Sequence, residues 1–94
     1  MNIEIDQSGK VENTSKNTII AFSNDIFGSI FITAKDKREI QKIFRKIGKS
    51  RIFVYRLFSI LIFLLIKDHL KRIDQIIIDE EYPGKENLIK NYLI

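Results

Sequence analysis

The chain has 94 residues, 45% apolar, 11% aromatic and 30% charged, with a net charge of +4 from 16 Lys and Arg against 12 Asp and Glu. That length allows one hydrophobic core, so residues 1–94 read as a single domain that buries roughly 60–68% of the surface its unfolded form exposes. Cysteine is absent, which excludes disulfide scaffolds and thiolate metal sites and points to a reducing, cytoplasmic setting.

The first twenty residues carry Glu4, Asp6 and Glu12 with no apolar run, so no secretory signal is expected. Residues 2–6 alternate polar and apolar, the period of a strand, and Gln7-Ser8-Gly9-Lys10 reads as a turn before an extended pattern resumes at Val11. Residues 18–23 and 29–33 are rich in β-branched side chains and are separated by about five turn residues, which predicts an antiparallel hairpin.

The period then changes from 2 to 3.6. Ile40, Ile43, Phe44 and Ile47 predict an amphipathic helix over 36–47 with its bases facing solvent. Gly48 suits the left-handed position that ends such a helix, and Ser50 is placed to cap a second one starting at Arg51. Residues 52–66, IFVYRLFSILIFLLI, are apolar nearly all round. Arg56 and Ser59 interrupt a run already shorter than the roughly 20 apolar residues of a membrane span, so a buried helix across one face of a sheet is expected and no membrane partner. His69, the single histidine, follows among lysines and is expected to face solvent.

Three consecutive isoleucines end in a carboxylate at Asp79, which predicts over 73–79 a central strand, buried on both faces and parallel to its neighbour. Tyr82-Pro83-Gly84-Lys85 breaks the chain, and Leu88, Ile89, Tyr92 and Leu93 fall at helical spacing. The order β-β-β-α-α-β-α, with no internal repeat, describes an α/β fold with a mixed sheet. Charge is unevenly spread. Nine bases lie between positions 35 and 56 against Asp36 and Glu39, a local net charge of +7. Lys42, Arg45, Lys46, Lys49 and Arg51 within it are the candidate phosphate contacts, against the plainer reading of a solvated helix face.

Asp6 stands near the end of the first strand, ahead of Ser8 and Gly9, and Asp79 ends the strand that follows the helical crossover. With this element order, the chain resembles the ribonuclease H-like superfamily of ribonucleases H, resolvases and transposases. The resemblance spans almost all of these residues, although the family's fifth strand and later acid-bearing helix have no counterpart among them. It implies a ribonuclease H-like mixed sheet and a metal-dependent nuclease acting on RNA or DNA. The implied catalytic set is Asp6, Asp79 and Glu39, with Mg²⁺ or Mn²⁺ held by Asp6, Asp79 and Glu80. Two such ions about 3.5–4 Å apart clamp the attacking and leaving oxygens of a phosphodiester and require hard carboxylate ligands.

The alternative is a non-catalytic assembly or binding module, with nucleic acid or a twin subunit as its partner. In that case Asp6 only shapes a turn, and the acids at 79–81 only favour the start of the last helix. Other chemistries lack their residues. The chain has no Gly-x-Ser-x-Gly nucleophile motif and no glycine-rich phosphate loop.

Overall fold

The computed structural model describes residues 2–24, 27–78 and 82–93. Strands β1 (Asn2–Ser8), β2 (Thr18–Asn24) and β3 (Gly28–Ile32) precede helix α1 (Ala34–Lys46). Helix α2 (Phe53–Ile66) lies between 3-10 segments at Ser50–Ile52 and Lys67–Arg72, and strand β4 (Gln75–Ile78) and helix α3 (Glu86–Leu93) complete an α/β fold. The sheet is mixed, in the order β3-β2-β1-β4. β1 runs antiparallel to β2 and parallel to β4, and Ile5 pairs with Phe22 on one side and Ile78 on the other.

Alternation along β1 sets the layers. Ile3 and Ile5 are fully buried while Glu4 and Asp6 are exposed, so one face of the sheet is packed and the other is open. Ile20 and Phe22 join Ile3 and Ile5 beneath Phe53, Leu57, Phe58, Leu61, Ile62 and Ile66 of α2, with Ile89 of α3 behind. Each such side chain contributes about 1.5–3 kcal/mol on burial. Gly28 is required by this packing, because a β-carbon there would lie 2.6 Å from the ring of its cross-strand partner Phe22.

Several elements differ from their sequence reading. β4 is parallel to its neighbour as expected, yet it stands at the edge of the sheet, with Gln75 and Ile77 exposed and only Ile76 and Ile78 packed on the core. β1 has two sides and β2 already occupies one, so β4 takes the other, and helices cover a single face. The Ser50 side chain makes no capping bond; α2 is entered through a 3-10 turn and starts at Phe53. Nor is α2 buried all round, since Ile60, Phe63 and Leu64 on one flank are 45%, 40% and 47% exposed. His69 is half-buried, with one side packed edge-on against Phe22, ring centroids 5.9 Å apart, and so faces solvent only in part.

Helix α1 departs most. Its buried residue is Lys37, with Ile40 and Phe44 packed behind it, while Ile43 and Ile47 are each 58% exposed. The cause lies at its N-terminus. Thr33 Oγ1 accepts from the Asp36 N–H at 3.0 Å and Asn17 Oδ1 accepts from the Ala34 N–H at 2.9 Å, satisfying two of the donors a helix start leaves open. Lys37 Nζ then donates to Asn13 O (2.7 Å), Thr18 Oγ1 (2.8 Å) and Lys10 O (3.3 Å). These bonds fix the rotation of α1 so that 37, 40 and 44 face inward and 43 and 47 turn out. At the far end Gly48, at φ +71°, closes the helix as its spacing predicts, with Lys49 N–H on Phe44 O (2.8 Å) and Gly48 N–H on Arg45 O (3.2 Å).

Replacing Lys37 by Met keeps the stem and removes all three bonds. Thermal or urea unfolding should show a loss of about 2–3 kcal/mol, the range for hydrogen bonds to a charged group whose partners are left buried. Burial holds the Lys37 ammonium below its ordinary value of 10.5, with Glu12 pulling the other way. The folded protein therefore releases this proton before the unfolded chain does, and stability gains as pH rises from the lowered folded value toward 10.5. The stability gap between wild type and Lys37→Met should widen over that alkaline window. A gap independent of pH would show that burial of the ammonium carries no proton-linked cost.

Candidate metal and nucleic-acid site

Residue alternation at the C-terminal end of β1 sends consecutive side chains to opposite faces. Asp6 projects from the open face, and its Oδ1 accepts from the Gln7 N–H at 2.9 Å. Gln7 turns the other way, where its Nε2 donates to the Tyr82 hydroxyl at 3.2 Å and its Oε1 accepts from the Val11 N–H at 3.4 Å. The Tyr82 hydroxyl in turn donates to Glu12 Oε2 at 2.9 Å. The Tyr82 ring is set edge-on against Tyr55 (5.6 Å between centroids) and Phe58 (5.1 Å) of α2. One tyrosine therefore joins the segment after β4 to the end of β1, to the β1–β2 loop and to the core.

Sequence reasoning missed this network. Tyr82 reads only as the start of a Pro-Gly break, and although a buried phenol needs a polar partner, nothing local identifies one 70 residues away.

The expected acids are distributed as follows. Asp6 is exposed on β1, next to β4, and the last described pair of those strands is Ile5 with Ile78. Asp79 and Glu80 lie outside the described residues. Glu39 is on the outer side of α1, 3.4 Å from Lys42 Nζ, and both side chains are largely exposed. It lines a shallow hollow of about 360 Å³ with Lys42, Ile43, Arg45 and Lys46. Among the described residues no three His, Cys, Asp or Glu side chains are grouped so as to hold a metal ion.

The five candidate phosphate contacts, Lys42, Arg45, Lys46, Lys49 and Arg51, are all exposed, on α1 and the turn that follows it. Other bases of the same stretch are committed elsewhere. Lys37 is buried, Arg38 Nη1 donates to Thr14 O at 2.8 Å, and the Arg56 guanidinium lies 4.6 Å from the centre of the Tyr92 ring. No helix among the described residues is long and apolar enough to cross a membrane. No family model, curated protein or solved structure matches the chain.

Tyr82→Phe should keep the ring packing and delete both hydroxyl bonds. We expect a loss of about 1 kcal/mol in chemical denaturation, with the near-ultraviolet dichroism of the aromatic cluster preserved. Stability equal to wild type would show that the bonds to Gln7 and Glu12 add nothing to the joint.

Proposed function

We propose that this chain is a ribonuclease H-like domain that binds nucleic acid through the exposed bases of α1 and the following turn. In this reading Asp6 and Asp79 hold a divalent cation for phosphodiester hydrolysis. The observation that carries the proposal is the parallel pairing of β1 with β4, whose last described pair, Ile5 and Ile78, is in each case followed in the sequence by an aspartate. The antiparallel β1–β2–β3 ladder, with the fourth strand parallel to the first after a helical crossover, supports it further. A reducing, cytoplasmic setting goes with this function.

The donors suit Mg²⁺ or Mn²⁺, which take hard oxygen ligands. Asp6 has one carboxylate oxygen held by the Gln7 N–H, and its exposure leaves the other accessible from solvent. Glu80 is the additional ligand nearest in sequence to Asp79. Glu39 serves only after leaving Lys42, and an exposed pair of this kind is worth about 0–1 kcal/mol, so the exchange costs little. A bound cation supplies Lewis acidity and lowers the pKa of its water. The protein's own part is to orient the Asp6 carboxylate near the end of β1 and to attract the phosphate backbone through Lys42, Arg45, Lys46, Lys49 and Arg51.

A non-catalytic binding or assembly module is the second reading, favoured by the pairing of Glu39 with Lys42 and by the uncovered flank of α2. Thermal unfolding in Mg²⁺ or Mn²⁺ separates the two. A cation that binds only the folded form stabilises it by about 2.7 kcal/mol at one hundred times its dissociation constant, and Asp6→Asn with Asp79→Asn should remove both that shift and any cleavage of hybrid, duplex or branched substrates. A melting temperature unmoved by millimolar metal, with no cleavage, defeats the nuclease reading and leaves the module.

Binding is tested separately. The logarithm of affinity for a duplex should fall with the logarithm of salt concentration at a slope of about −0.9 per phosphate contact. Lys42→Glu with Lys46→Glu should flatten it. Affinity that does not respond to salt would remove the basic surface from the reading.

A further inference from the structure

Helix α1 turns more than bases toward solvent. Ile43 and Ile47, one turn apart, are each 58% exposed, and the electrostatic attraction of phosphates makes no use of them. At roughly 3.6 residues per turn, Lys35, Lys42 and Lys46 form a crest opposite the inward-facing Lys37, Ile40 and Phe44. Asp36, Glu39, Ile43 and Ile47 run along one flank, between that crest and the side that meets the protein, and all four are exposed. Glu39 reaches Lys42 Nζ at 3.4 Å across the boundary. The outer surface of α1 is thus divided lengthwise into a cationic crest and a flank of aliphatic and carboxylate side chains.

We propose that the partner of this surface is an unpaired nucleic-acid strand, with its phosphates along the crest and its bases laid against Ile43 and Ile47. The division of α1 selects it. The crest requires anions in a row, which a phosphodiester chain supplies. The flank requires a surface that is apolar and not anionic, because Asp36 and Glu39 repel phosphate there, and the base faces of a single strand meet both conditions. In a duplex those faces are stacked on one another, and a helix entering the groove leads with its crest, which here carries lysines. A bilayer also meets the crest first, whereas a helix that lies in a membrane surface needs its apolar residues foremost. This partner rests on the nucleic-acid reading of α1 and is independent of any metal.

The experiment measures affinity of the full chain across a salt series, in a metal chelator, for a mixed-sequence DNA single strand, its duplex and an abasic strand of the same length. All should weaken as salt rises, and at high salt, where counterion release no longer contributes, the intact single strand alone should keep a residual affinity. Ile43→Ser with Ile47→Ser, at two exposed positions, should lower single-strand affinity by about tenfold at an unchanged salt slope and leave abasic binding as it was. The comparison of intact with abasic strand on wild-type protein carries the test even if that variant fails to fold. Equal affinity for those two strands overturns the proposal while leaving phosphate binding by α1 in place, and so does a duplex held as tightly as the single strand at high salt. Binding to phosphatidylserine vesicles that the isoleucine variant loses overturns it in favour of a lipid surface. Absence of binding to every strand at low salt removes the nucleic-acid reading of α1 itself, and the proposal with it.

Discussion

The buried ammonium of Lys37 is the contact on which the rest of the arrangement hangs. Its three donors meet three acceptors supplied by the β1–β2 loop and the first residue of β2, and the Thr18 hydroxyl that accepts from it donates in turn to Gly9 O. Taking a charge out of water costs several kcal/mol in practice, and hydrogen bonds of this quality offset that cost without leaving a large surplus. What the contact supplies is position. It holds the loop against the first turn of α1, where Arg38 and Asn17 add bonds of their own, and so sets which side of α1 meets the protein. Gly9 is part of the same joint, since at φ +72° a β-carbon there would come within 2.1 Å of Asn17 O.

From that joint a polar chain continues to the candidate site. Glu12 lies close enough to Lys37 to favour its charged form and accepts the Tyr82 hydroxyl, and Tyr82 reaches Gln7 beside Asp6. The end of β1 is thus braced from the loop that α1 grips and from the segment that follows β4. The same rotation of α1 that buries Lys37 turns Lys42, Arg45 and Lys46 outward together with Ile43 and Ile47. Exposed bases and exposed isoleucines on one helix face are two results of a single constraint.

A sheet covered on one face leaves this small domain with much uncovered apolar surface. Ile19 and Phe31, cross-strand partners, remain 43% and 55% exposed on the open face, and the flank of α2 is uncovered as well. A chain of this length has too few elements to screen both faces of a four-stranded sheet and all sides of an apolar helix. The open face also keeps Asp6 accessible to a large ligand, whereas a second helical layer would have buried it.

Local pattern in the sequence determined the elements. The β-branched runs became β2 and β3, Gly48 closed α1, residues 53–66 became the helix that fills the core, and the isoleucine run became a strand parallel to a neighbour. Asp6 was legible as an acid near the end of a strand because period-2 alternation separates it from Ile3 and Ile5. Tertiary structure alone decided the rest. Periodicity states which residues share a helix face but not which face meets the core, and in α1 hydrogen bonds to a loop 24 to 27 residues away chose the face carrying a lysine over the one carrying Ile43 and Ile47. Strand order is also unwritten in any one strand. The isoleucines of β4 read as central by composition, yet they lie at an edge because the neighbours of a strand are set by the pairing of distant segments, which leaves no local mark in the chain.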